Sequence, residues 1–184
     1  ENMLRAASAR PPCGPVKVPE PALSSAQITQ LQDYLCAAQR PVVLYGGSGW
    51  TVTAARQLET FAAANDVPLV AAFRYHDICD NHHPCFVGDA GVGMLGYIKT
   101  LLRDADMIVA LNIRFGEMTT DGYDLFDLPK MAATLIHSNA SDAELGKIYI
   151  ADLPLQAGPN AMAEALAGIR LAQNADRKAW CGAA

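Results

Sequence analysis

Three runs of unbroken apolar residues punctuate the chain: Val42-Val43-Leu44-Tyr45, Leu69-Val70-Ala71-Ala72-Phe73 and Met107-Ile108-Val109-Ala110-Leu111. A fourth, Thr134-Leu135-Ile136-His137, is nearly so. Strands buried on both faces read this way, whereas a strand wetted on one face alternates. Between the runs the apolar spacing turns helical. Ile28, Leu31 and Leu35 follow a capping box of Ser24 with Gln27, which predicts a helix over 25–39, and Pro41 breaks it. Ala55, Leu58, Phe61 and Ala62 share one face of a second helix over 51–65. Further helices are expected around 94–103, over 141–145 (short) and over 161–171. Phe86-Val87 is strand-like, Ile148-Tyr149-Ile150 is expected to be the last short strand, and 113–131 is a long connection. The stretch 42–73 reads as strand, glycine turn, helix, strand, the length a right-handed βαβ crossover requires. Strands alternating with helices predict an α/β domain: a doubly wound, Rossmann-like parallel sheet of about six strands with helices on both faces.

Residues 1–23 hold five of the eleven prolines and show no apolar period, so a linker is expected there. The domain itself is expected over 24–172, with 173–184 as the start of a second linker. Neither Glu1-Asn2-Met3 nor the last residues read as a natural end, and no signal peptide opens the chain, so the expectation is a piece of a longer protein.

Composition narrows the function. Of 184 residues 51% are apolar and 18% charged, enough to bury a large core. A net charge of −5 offers no basic surface for nucleic acid or anionic lipid. No apolar run approaches the roughly 20 residues needed to span a bilayer. Cys13, Cys36, Cys79, Cys85 and Cys181 form an odd set without a CxxC pair, so they are expected as reduced thiols in a cytoplasmic protein.

The turn Gly46-Gly47-Ser48-Gly49 lies where the first strand hands over to a helix. Backbone N–H groups there can face a phosphate, and the helix dipole favours an anion. The dinucleotide fingerprint is incomplete, since Val52 stands where a third glycine belongs, and the second strand ends in Arg74 and Tyr75 without a carboxylate for a ribose. A tight turn serving packing alone fits equally well. Arg114, just beyond the strand over 107–111, is expected at the carboxyl edge of the sheet, either clamping a diphosphate or paired with Asp121 or Asp124. His76, Cys79, His82, His83 and Cys85 crowd together, but their spacing does not fit a zinc site and no metal is expected. The acidic pairs Asp104 with Asp106 and Asp124 with Asp127 read as helix-end and loop charges. No nucleophile–base pairing stands out, so no catalytic residue is assigned.

Four segments in order resemble the middle domain of the thiamine-diphosphate-dependent enzymes, especially the acetolactate-synthase-like branch. They are Arg40-Pro41-Val42-Val43-Leu44-Tyr45-Gly46-Gly47-Ser48-Gly49; His83-Pro84 with Gly88 and Gly91; Ala105-Asp106 with Arg114-Phe115-Gly116-Glu117-Met118-Thr119-Thr120; and Ile136-His137 with Glu144-Leu145-Gly146-Lys147-Ile148-Tyr149 and Asp152-Leu153-Pro154. The resemblance implies three α/β domains per full-length chain. The first carries the glutamate that activates the cofactor, the third binds thiamine diphosphate and Mg2+, and the chain is a homo-oligomer. The middle domain is similar to those that hold FAD or ADP in some relatives and nothing in others. By this resemblance Gly47, Ser48, Gly49 and Arg114 match positions that meet a nucleotide. Nucleotide-binding relatives show an Ile-His-Val-Asp-Ile-Asp pattern, whereas this chain reads Ile136-His137-Ser138-Asn139-Ala140-Ser141; the amide of Asn139 is left to bond a ribose without charge. Gly88-Asp89-Ala90-Gly91 is similar to the start of the family's magnesium signature, but the Asn-Asn pair that completes it occurs nowhere in the chain. The implied function is therefore the central domain of an enzyme acting on 2-oxo acids, a carboligase or decarboxylase, inactive in isolation and partnered by flanking domains. The alternative is a free-standing NAD-, FAD- or ADP-binding module of the sirtuin or electron-transfer-flavoprotein type.

Overall fold

A computed structural model of the chain describes residues 14–15 and 19–184, so the expected linker over 1–23 lies mostly outside the described residues. Among these residues six strands form one sheet: β1 Pro41–Tyr45, β2 Leu69–Ala72, β3 Phe86–Ala90, β4 Met107–Leu111, β5 Thr134–Asn139 and β6 Leu153–Gln156. Every neighbouring pair is parallel, in the order β3-β2-β1-β4-β5-β6. The central strands β1, β2 and β4 are buried at every position, the physical origin of their unbroken apolar sequences.

Among the described residues five α-helices cover the sheet: α1 Ser25–Ala37, α2 Val52–Asn65, α3 Gly96–Asp104, α4 Pro159–Ala167 and α5 Ala175–Ala183. The capping box forms as its sequence predicts, the Ser24 hydroxyl accepting from Gln27 N–H while the Gln27 side chain accepts from Ser24 N–H. On one face Leu31 and Leu35 of α1, Leu58 and Phe61 of α2, and Met162 and Leu166 of α4 pack together. On the other, Ile98, Leu101 and Leu102 of α3 join Ile113, Phe115, Leu125 and Met131 from the long connection. The sheet is thus doubly wound.

Three expectations need correction. Residues 148–150 form no strand. The sixth strand is β6, whose Leu153 and Leu155 turn inward while Pro154 and Gln156 face out. Proline has no N–H for a ladder, which an edge strand tolerates. Tyr149 is buried by aromatic packing instead, edge-on to Phe115 and Phe126. Second, α4 starts two residues before the expected 161, with Pro159 in its first turn, where a missing N–H costs nothing. Third, 173–184 carries α5 and packs on the domain. Arg177, 3% exposed, donates from Nε to Asn65 O at 2.8 Å, and Trp180 Nε1 donates to Pro41 O at 3.0 Å. Pro41 opens β1 and Asn65 ends α2 just before β2, so α5 covers the amino ends of the strands.

Candidate functional site

The sheet order reverses direction between β1 and β4, and their carboxyl ends diverge into opposite crossovers. Parallel sheets of this kind open a crevice at that point. Here it is a cleft of about 940 Å3, lined by the turn after β1, by Asn112–Arg114 after β4 and by Asn139–Ser141 after β5. The five residues singled out from sequence, Gly47, Ser48, Gly49, Arg114 and Asn139, all line it. They are brought together from three strand ends.

The glycine turn is held from beneath. The Asn112 side chain donates from Nδ2 to Gly46 O at 3.2 Å and to Ser48 O at 2.9 Å. Gly47 has φ +70°, and a Cβ there would lie 2.1 Å from Asn112 O. Packing alone therefore demands this glycine. Trp50 closes the turn by donating from Nε1 to Gly46 O at 2.8 Å.

Arg114 sits at the mouth with its side chain 80% exposed, 3.6 Å from Glu144. Neither expected partner is used: Asp121 pairs with Lys99 and Asp124 with Arg103. Glu144 is mostly buried and closer to Lys147, at 3.1 Å, so the exposed guanidinium is held weakly and can turn toward an anion. Asn139 is 8% exposed and engaged, its Nδ2 donating to Ile113 O at 3.3 Å and its Oδ1 accepting from Ser141 N–H at 2.9 Å. Its side chain fixes the strand end more than it faces the cleft.

Opposite the glycine turn stands the amino end of α4, already met by a carboxylate. Glu20 accepts from Asn160 N–H at 2.9 Å and from Asn160 Nδ2 at 3.0 Å. Asn160 in turn donates to Gly49 O and accepts from Thr51 N–H and its hydroxyl, linking α4 to the turn. A helix amino end attracts negative charge, and this one draws it from the proline-rich segment. Sequence reasoning missed Glu20, Asn112 and Asn160. Asn112 was findable as the first residue beyond β4 at the reversal; Glu20 had no local signal.

The histidine–cysteine cluster disperses. His76 and His82 are exposed, while Cys79 is buried against Tyr45, where burial first and the Glu59 carboxylate last push its thiol up to about 12 against the opposing Tyr45 hydrogen bond. His83 Nδ1 accepts from Cys85 N–H at 3.2 Å. Among the described residues no three His, Cys, Asp or Glu side chains stand together as a metal site. Asp89 lies in edge strand β3, exposed, and the segment resembling the magnesium signature is part of that strand. Asp106 is a structural carboxylate: its two oxygens accept from Gln39 N–H and Arg40 N–H, each at 2.9 Å, and fix the entry to β1.

Comparison with known proteins agrees with this architecture. Residues 28–166 match the family model of the thiamine pyrophosphate enzyme central domain. The large subunit of acetolactate synthase isozyme 2 from Escherichia coli (strain K12) is 26% identical over 141 residues, 77% of this chain and 25% of that protein. Acetolactate synthase from Mycobacterium avium is 30% identical over 132 residues, 71% of this chain and 21% of the relative. A probable acetolactate synthase large subunit from Methanocaldococcus jannaschii is 24% identical over 84% of this chain and 26% of its own length. The chain thus spans about a quarter of the relatives it matches.

Proposed function

The chain belongs to the central-domain family of thiamine pyrophosphate enzymes, and from that premise we propose that it serves as the middle unit of an acetolactate-synthase-type enzyme acting on 2-oxo acids. The observation that carries this is the family match across residues 28–166. In this reading the whole enzyme makes or breaks the carbon–carbon bond beside a carbonyl, as carboligase or decarboxylase, and the bound thiamine diphosphate supplies the electron sink for that step. The described residues do not fit the cofactor's diphosphate and magnesium: Asp89 stands exposed on an edge strand, and no group of three His, Cys, Asp or Glu side chains gathers as a metal site among them. Flanking domains therefore hold them, and no step of the reaction is assigned to side chains of this chain.

The domain's own contribution is a wall between its neighbours and a cleft for a nucleotide. A volume of about 940 Å3 lies in the range of small-molecule sites, roughly 300–1,000 Å3. Neutral amides line it, with one cation, Arg114, at its mouth. ADP or FAD would lie with its diphosphate by Gly47–Gly49 and Arg114. The carboxylate of Glu20 and the engaged Asn139 weaken such a site, so binding to the isolated chain is weak at best. A free-standing nucleotide module is the less favoured reading, because the relatives extend to about four times the matched length.

The test is turnover. Purified chain given pyruvate, thiamine diphosphate and Mg2+ is expected to form neither acetolactate nor acetaldehyde. Product that copurifies with the homogeneous chain through two orthogonal columns would overturn the assignment.

A further inference from the structure

At the end of the sheet opposite the cleft, two thiols from distant parts of the chain meet. Cys85, the residue before β3, and Cys181, in α5, lie 96 positions apart in sequence, with Sγ atoms 3.7 Å from each other. Their backbones are held by independent contacts. Cys85 donates its N–H to His83 Nδ1 and accepts from Leu69 N–H at 2.7 Å, which fixes it to the ladder of β2 and β3. Cys181 is placed by Arg177 and Trp180 in α5, whose bonds to Asn65 O and Pro41 O reach two other elements. The approach of the sulfurs thus follows from the way α5 docks. Side-chain rotation has to close the 3.7 Å gap to the roughly 2.05 Å of a disulfide.

We infer that Cys85 and Cys181 form a reversible disulfide that fastens α5 to the amino end of the sheet, made by exchange with a small-molecule disulfide such as oxidised glutathione. One thiolate of the pair attacks a sulfur of oxidised glutathione and expels a glutathione thiolate, which takes up the proton released. The second protein thiol then loses its proton and attacks the protein sulfur of the mixed disulfide, expelling the second glutathione. Two protein thiols lose two electrons and two protons, and one oxidised glutathione becomes two reduced molecules. The Cys181 S–H donates to Cys85, and this hydrogen bond outweighs burial in holding the Cys85 thiol below its ordinary value. Partly buried Cys181 leaves the pair an opening to the oxidant, while Cys79 is buried against Tyr45 and Cys36 stands exposed on α1. Closure would bridge the long loop between 85 and 181, and loops of that length lose much of their unfolded-state freedom when cross-linked.

The experiment is direct on the unmodified chain. Folded protein is incubated with oxidised glutathione near pH 8, residual thiols are alkylated, and peptides are read by mass spectrometry. The expected result is a linked peptide pair containing Cys85 and Cys181, loss of two titratable thiols, and reversal by dithiothreitol. The oxidised chain should melt several degrees above the reduced one, and Cys85→Ser and Cys181→Ser should each abolish both the linked peptide and that shift. Recovery of Cys85 and Cys181 as alkylated thiols, as glutathione adducts, or in cross-links to other cysteines would overturn the inference.

Discussion

Gly47 and Asn112 fix one another, and together they decide what the cleft can present. With Asn112 filling the space behind the turn, the glycine-rich sequence is used for backbone shape, and the groups facing a ligand are the peptide edges and the two charges nearby. Those charges oppose each other. Arg114 would favour the diphosphate of the proposed nucleotide at the mouth, whereas Glu20 holds a negative charge at the amino end of α4, where a ligand's anion would compete for Asn160. Titration calorimetry with ADP should therefore move in opposite directions for two variants. Arg114→Ala is expected to weaken binding several-fold, and Glu20→Gln to strengthen it by a similar factor. Affinities that ignore both changes would put the nucleotide outside this cleft.

At the scale of elements, α2, the segment after α4 and α5 meet at a buried polar joint. Asn65 is 1% exposed; its side chain donates to Phe61 O and Ile169 O and accepts from Leu171 N–H, while its backbone carbonyl accepts from Arg177 Nε. Removing a buried partner of this kind leaves other groups without hydrogen bonds and costs about 1–3 kcal/mol. Asn65→Ala should lose about that much stability in urea unfolding, with α5 more exposed to limited proteolysis. A loss below about 0.5 kcal/mol would mean that water replaces the amide at little cost. The same scale explains why β1, β2 and β4 were legible and β6 was not. A fully buried strand announces itself by continuous apolar residues, but an edge strand four residues long with a proline in it carries two apolar positions, no more than a loop does.

For the molecule as a whole, a pH-dependent contribution to stability is expected from His137, buried in β5 where Nε2 bonds Ile113 O at 3.1 Å and the ring packs edge-on to Phe115. Burial lowers its pKa, against smaller raising effects of Ile113 O and Glu144. The unfolded chain then takes up this proton first as pH falls, so the contribution to stability is complete above the ordinary histidine value of about 6.5 and is lost progressively below it, down to the folded-state value. Melting temperature should drop between pH 7 and pH 5, and less steeply in His137→Gln, an amide able to keep the bond to Ile113 O. Parallel profiles for both proteins would assign the acid sensitivity elsewhere. The chain's periodicities alone determined the parallel, doubly wound sheet, five of its six described strands and the neighbourhood of Gly47 and Arg114, because burial on two faces and helix capping act within a few residues of sequence. Tertiary structure decided that Asn112 supports the turn, that Glu20 reaches the amino end of α4, that Asn139 is engaged with its own strand end, and that Cys181 meets Cys85. Those contacts join residues from 26 to 140 positions apart, or depend on which way a side chain turns at a strand end, and no local pattern of apolar and polar residues encodes either.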